Sequence, residues 1–201
     1  LGGGVVTCDF EEGNYFNPGP WRIPSHHYAV LHYCKKFGVA LEPFIQTNNR
    51  AYLHRTNHFG GVPQRLGDVQ HDIRGHVSEL LSKAVNTGGL DKEVTREDKE
   101  MLLENLKGWG ALSKDYTYKR SHTTSKYRGY SVYPGGGLMP NDQASTPLPL
   151  DDLLKSGVWQ DIYAQHTTYS HSPTMFQPVG GMGKIGDAFT RECQDLIKLN
   201  A

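Results

Sequence analysis

The sequence predicts an α+β chain, mostly helical, with a few short strands. Three observations carry that prediction. Ile73, Val77, Leu80, Leu81 and Ala84 recur at helical spacing and form one apolar face. Before about residue 70 the apolar runs are short, rich in β-formers and broken by Gly and Pro, the pattern of strands and turns around a single helix. Near the end, Phe176-Gln177-Pro178-Val179 reads as extended, and Gly180-Gly181 turns it into a last helical stripe.

In chain order, Val5 to Phe10 reads as a short strand. Glu11-Glu12-Gly13 then leads into Gly13-Asn14-Tyr15-Phe16-Asn17-Pro18-Gly19-Pro20-Trp21-Arg22-Ile23-Pro24. The three prolines of this stretch fix φ and remove donors, so it is no helix. Residues ahead of proline are driven to extended geometry, which makes the loop stiff. Trp21 supplies a large flat face and Arg22 a planar fork of donors suited to a carboxylate or phosphate. The local alternative is a turn whose Arg pairs with a nearby acid.

A helix is expected from about Ser25, a plausible N-cap, to Phe37, with Gly38 as its stop. Val39 to Ile45 reads as extended with a break at Pro43, and Ala51 to His54 as a further strand. Thr47-Asn48-Asn49-Arg50 and Gly60-Gly61-Val62-Pro63 are turn chemistry between and after them. The Ile73 helix ends at Gly88-Gly89. Thr95-Arg96-Glu97-Asp98 resembles a capping box with the shorter acid, opening a second helix through Met101, Leu102, Leu103 and Leu106 toward Gly108 and Gly110. Ser113 to Pro149 is polar, Tyr-rich and broken by Gly and Pro, and reads as a long loop over an entrance. Asp151 to Lys155 restarts a helix, extending to Tyr163. In the final helix Ile185, Phe189, Cys193, Leu196 and Ile197 are expected to line the buried face.

Composition excludes several classes. The 201 residues carry 21 Lys+Arg and 21 Asp+Glu, and this balance gives no pointer to nucleic acid or an anionic membrane. No apolar run approaches a membrane span. Cys8, Cys34 and Cys193 are odd in number and far apart, which suits reduced core residues and leaves the compartment open between cytoplasmic and secreted. His54 and His58, and His71 and His76, lack a third ligand at recognised spacing, so no metal site is expected. The main dinucleotide-binding fingerprint is not expected within the chain, and Gly135-Gly136-Gly137 has no strand-turn-helix context. The chain begins at Leu1 inside a motif, and reads as an internal fragment.

Gly19-Pro20-Trp21-Arg22-Ile23-Pro24, followed by His26-His27 and Leu31-His32-Tyr33-Cys34-Lys35-Lys36-Phe37-Gly38-Val39, resembles the FAD-dependent L-amino-acid oxidases, in their bacterial form, within the flavin monoamine oxidase family. Met175-Phe176-Gln177-Pro178-Val179-Gly180-Gly181-Met182 is similar to that family's return to the FAD domain, and Leu1-Gly2-Gly3-Gly4-Val5-Val6-Thr7 to its Gly-Gly-Arg segment. Gly4 departs from the family's Arg, and Gly183 from an Asp that many relatives carry.

The resemblance implies a piece of an FAD-linked amine oxidase. Residues 1–8 would end an FAD-binding segment, 9–70 form part of the substrate-binding sheet, 71–172 the helical domain, and 173–201 the return to the FAD domain. It implies FAD contacts at Gly2, Gly3, Gly19, Pro20, Trp21 and Arg22, with Trp21 as a wall against the flavin ring. It implies Arg22 as the group that binds the substrate α-carboxylate and His166 as a substrate-side residue. No catalytic residue is assigned within the chain. The implied reaction is oxidative deamination of an L-amino acid, with O2, to a 2-oxo acid, ammonia and H2O2. The implied partners are an amino-acid substrate and O2, neither nucleic acid nor membrane, with a homodimeric parent compatible. Two other readings stay open: a flavin amine oxidase acting on polyamines or monoamines, and a non-catalytic helical interaction module.

Overall fold

A computed structural model describes residues 7, 9–136, 141–166, 169–171 and 173–198, with the backbone alone for 163–166 and 169. The elements are β1 (Ile23–Pro24), α1 (Tyr28–Lys36), β2 (Leu41–Pro43), β3 (Tyr52–Leu53), β4 (Gln64–Arg65), α2 (Leu66–Asn86), α3 (Arg96–Trp109), α4 (His122–Arg128), β5 (Tyr130–Val132), β6 (Gln143–Ala144), α5 (Leu150–Lys155), α6 (Val158–His166), β7 (Met175–Pro178) and α7 (Gly183–Cys193). The chain is α+β. It divides into two compact units, one formed by 1–47 with 165–201 and the other by 48–164. No helix among the described residues is long and apolar enough to cross a membrane.

The first unit is built on a three-stranded antiparallel sheet of order β1-β7-β2. The late segment is therefore the central strand, with Ile23 opposite Phe176 on one side and Glu42 opposite Gln177 on the other. Pro24 and Pro43 lie on the outer strands, where a missing donor is tolerated. Among the described residues of the expected first strand, Thr7, Asp9 and Phe10 are not in a strand. Val5, Val6 and Cys8 lie outside the described residues.

Helix α1 starts at Tyr28 and not at Ser25, because a turn closed by His27 N–H to Pro24 O (3.0 Å) uses up Ser25 and His26. Its N-cap is His27, with no side-chain capping bond, and Gly38 follows its end at φ 68°. Tyr33 and Phe37 pack on Phe189 of α7, with centroids 5.1 and 4.9 Å apart. Of the stripe expected on the last helix, Ile185 and Cys193 are partly buried, while Phe189, Leu196 and Ile197 are exposed; the buried residue is Ala188. The α-helix ends at Cys193 and tightens into a 3₁₀ turn over Gln194–Leu196, which rotates Leu196 and Ile197 off the stripe.

In the second unit α2 runs through the centre and packs against α3, α4 and α5. It begins at Leu66, so Leu66 and Val69 extend the predicted stripe. With Ile73, Leu153, Val158 and Ile162 they form the core cluster. The box at α3 is complete: Asp98 N–H donates to Thr95 Oγ1 (3.2 Å) and Thr95 N–H to Asp98 Oδ2 (3.3 Å). The expected single helix from Asp151 to Tyr163 is broken by Gly157, at φ 72°, into α5 and α6.

The segment from Ser113 to Pro149 is not the long loop its composition suggests. It contains α4 and the β5–β6 pair, and Tyr118, Thr124, Ser125 and Arg128 are buried. These polar groups are tolerated inside because each is satisfied. Thr124 Oγ1 donates to Lys119 O (2.7 Å), and Ser121 caps α4 by accepting from Thr124 N–H (3.0 Å). The centre of the arrangement is Asp72, fully buried on α2. It accepts from Tyr118 Oη (2.6 Å), Arg128 Nε (2.7 Å), Arg128 Nη2 (2.9 Å) and the Leu148 N–H (2.8 Å). Gly75 has no Cβ for a plain reason: one would lie 2.2 Å from the Tyr118 ring.

Candidate functional site

The Pro-rich loop is held from both ends. After it, Ile23 is buried and paired to the central strand, so Arg22, its neighbour, projects to the opposite side. Before it, Asn17 Oδ1 accepts from Met182 N–H (2.9 Å) in the turn that follows β7. That turn needs glycine: Gly181 has φ 94°, and a Cβ there would lie 2.7 Å from the Tyr15 ring. Sequence positions 165 apart are thereby locked into one frame around Arg22.

Within that frame Arg22 Nη1 donates to Gln46 Oε1 (3.0 Å) and Nη2 bonds to His171 Nε2 (2.8 Å). Its guanidinium also lies over the Trp21 ring, 5.5 Å from the centroid, and Trp21 packs at a tilt on Phe44, 6.4 Å away. A guanidinium only donates, so His171 Nε2 accepts and the ring proton is on Nδ1. That Nδ1 is buried and has no hydrogen-bond partner among the described residues. Arg22 has no ion pair among them either; the carboxylates of Asp68, Asp72 and Asp161 are paired to Arg65, Arg128 and Arg55. Two open cavities meet at His171. One, of about 280 Å³, is lined by Gly19, Pro20, Trp21, Arg22, Pro24, His27 and Ser170. The other, also about 280 Å³, is lined by Phe44, Ile45, Gln46, Thr47, Pro173 and Met175.

A partly buried, positively charged fork held by neutral acceptors beside an open aromatic face can receive an anion and a flat ring. The four predicted loop residues Gly19, Pro20, Trp21 and Arg22 come together on one cavity. Gly2, Gly3 and Gly4 lie outside the described residues, as does the side chain of His166. The imidazole brought to Arg22 is His171. Sequence reasoning missed it and Gln46. His171 stands four positions ahead of the β7 strand, and that nearness was its only signal. Nothing marked Gln46, which stands between the extended Val39–Ile45 and the turn Thr47-Asn48-Asn49-Arg50, because its role exists only once β2 is laid beside β7. Of the histidines considered as ligands, His54 bonds to Gly61 O, His71 Nδ1 to Arg74 and His76 to Leu148 O, and no group of three or more metal-ligating side chains, His58 included, forms among the described residues.

The 48–164 unit has a polar cavity of its own, about 270 Å³, bordered by Arg65, Asp68, His71, Arg128 and Tyr133. Its charges are internally matched. Arg65 holds Asp68 (2.9 Å) and Tyr133 Oη. Burial raises the Asp68 carboxyl, against the pull of Arg128 and Arg65. Burial, then the charge of Arg74, lowers His71.

A profile described as flavin containing amine oxidoreductase matches residues 1–128. The chain belongs to that family. Among curated relatives it is similar to an L-amino-acid oxidase of Notechis scutatus scutatus, 27% identical over 207 residues, 100% of this chain and 37% of the relative. It is also similar to an L-amino-acid oxidase of Pseudechis australis, 28% identical over 209 residues, again 100% and 37%. A third, from Bothrops jararacussu, is 28% identical over 208 residues, covering 100% and 38%. The chain thus spans little more than a third of the length of these relatives. The profile covers the Pro-rich loop, α1, β2 and the α2–α3 pair, and the relatives extend the likeness across His171 and β7.

Proposed function

We propose that the chain is part of an FAD-dependent L-amino-acid oxidase that converts an L-amino acid to a 2-oxo acid, ammonia and H2O2, with Arg22 receiving the α-carboxylate. The observation that carries this reading is the state of Arg22, a partly buried guanidinium whose two terminal nitrogens are held by neutral acceptors and not by an acid. That state favours a substrate bearing a carboxylate over a polyamine or monoamine, whose own positive charge Arg22 would repel.

The residues present fit a flavin. Trp21 leaves 53% of its surface open, and a Cβ on neighbouring Gly19 would meet nothing within 4 Å, so a flat ring can approach this backbone. Gly19, Pro20, Trp21 and Arg22 are the residues that would hold it. A flavin held there would supply the two-electron acceptor for oxidation at the substrate Cα, with O2 as the final oxidant. The chain's own part is binding and orientation. Charge-assisted bonds from Arg22 to the carboxylate are each worth about 1.5–3 kcal/mol. Their planar registration fixes where Cα points, and a misplacement of about 1 Å costs roughly two orders of magnitude in rate. His171 contributes a second group beside the fork: its Nε2 holds Arg22, and its buried Nδ1 has no partner among the described residues.

The test is peroxide production by the full-length protein from an amino acid and from its amide. Arg22→Lys keeps the charge and loses the fork, so it should depress kcat/KM for the acid far more than for the amide. Equal losses on both would make Arg22 a structural residue and remove the main support for the reading.

A further inference from the structure

We propose that Gln46 is a positioning residue that holds the Arg22 fork in place while leaving its charge intact, so that the site admits a carboxylate. This rests on the reading of Arg22 given above. Gln46 Oε1 accepts from Nη1 at 3.0 Å, and both side chains are partly buried. The placement of Gln46 is structural. Phe44 N–H donates to Met175 O (2.8 Å), which continues β2 along the central strand and delivers Gln46 beside the loop. On its other side the guanidinium is backed by Trp21, itself packed on Phe44. Arg22 is thus clamped by an amide oxygen, an imidazole nitrogen and a ring face, none of which carries a negative charge.

A guanidinium has five N–H donors. Among the described residues Gln46 and His171 take one each, and the other three meet no acceptor there. A glutamate at position 46 would reach the same nitrogen and neutralise it, and would repel an incoming carboxylate. The acid that β2 does carry is drawn away: Glu42 Oε1 accepts from Gln177 Nε2 (2.6 Å) across the ladder. The neutrality of position 46 is what separates an anion receptor from an internal salt bridge of the kind Arg65 and Arg128 make.

The experiment measures the affinity of the full-length protein for benzoate, a bare carboxylate, and for benzamide, its neutral counterpart, by calorimetry. Wild type, Gln46→Glu, Gln46→Met and Arg22→Lys are compared after checking that flavin content and melting temperature are retained. Gln46→Glu should weaken benzoate by about tenfold or more, equivalent to about 1.4 kcal/mol, with benzamide unchanged. Gln46→Met, uncharged and lacking the acceptor, should weaken benzoate by a smaller factor, and it decides the matter if the glutamate variant does not fold. If benzoate depends on Arg22 but both Gln46 variants bind it like wild type, the role of Gln46 is overturned and the reading of Arg22 survives. If wild type does not bind benzoate, or Arg22→Lys leaves its affinity unchanged, both fall.

Discussion

Arg128 in the 48–164 unit and Arg22 in the other carry the same guanidinium in opposite surroundings. Arg128 is almost fully buried and meets Asp72 through two nitrogens, at 2.7 and 2.9 Å. Burial works against its charge, and the bonds and charge of Asp72 more than offset this, so its pKa is raised. Arg22 is partly open, stacked on an aromatic face, and held by two neutral acceptors. One fork is closed on an internal acid, and the other meets no acid among the described residues. The difference teaches that an arginine's role is set by the charge of what holds it, more than by burial or by hydrogen-bond count.

The comparison predicts opposite outcomes for one kind of substitution. Arg22→Ala in the full-length protein should cost about a thousandfold in kcat/KM for an amino acid, the loss of about two charge-assisted bonds. Its urea midpoint should barely move. Arg128→Met should do the reverse. Removing one partner of a buried pair costs about 3–5 kcal/mol, read as a shifted urea midpoint, because Asp72 would be left charged without its counterion. A large stability loss for Arg22→Ala and none for Arg128→Met would invert the distinction.

Tyr118→Phe sharpens it. The phenol is held in its protonated form, by burial first and then by the negative charge of Asp72 and its hydrogen bond to it. Its removal takes one of four bonds from Asp72. The expected loss is about 1.5–3 kcal/mol by chemical denaturation, smaller than for Arg128→Met and without effect on the preference for acid over amide. Thr95→Ala, at the edge of the same unit, should cost only about 1 kcal/mol, the usual value of an N-cap.

The smallest effect is one of pH. His71 has its pKa lowered from 6.5, chiefly by burial and next by Arg74. Below that ordinary value the unfolded chain takes up a proton that the folded one resists. The contribution is present above about 6.5 and is lost as the pH falls through the lower folded value. Melting temperature should therefore fall on acidification through this window, and His71→Asn should flatten that part of the profile. An unchanged profile would place His71 outside the charge balance around Asp72.

Much of the local structure was legible in the sequence. The stripe through Ile73 and Val77, the box at Thr95 and Asp98, the stop at Gly38 and the turn at Gly180-Gly181 are encoded within a few residues of where they act. So was the stiffness of the loop bearing Arg22, since proline acts on its own φ and on its neighbour. The start of α1 was misplaced because the turn from Pro24 to His27 depends on Pro24 being paired in a sheet. The segment from Ser113 to Pro149 was misread because its Ser, Thr, Tyr and Arg look solvated until their partners are known; Asp72, far away in sequence, makes burial of Tyr118 and Arg128 tolerable.

What the sequence determined by itself was the set of elements with local causes and the chemical identity of a fork beside a flat ring at Trp21-Arg22. Only the tertiary structure decided who holds that fork. The late strand Met175–Pro178 enters between Ile23–Pro24 and Leu41–Pro43, and this pairing brings Gln46 and His171 to Arg22. Hydrogen bonds between strands depend on register and not on separation along the chain, so no local pattern could announce those two partners.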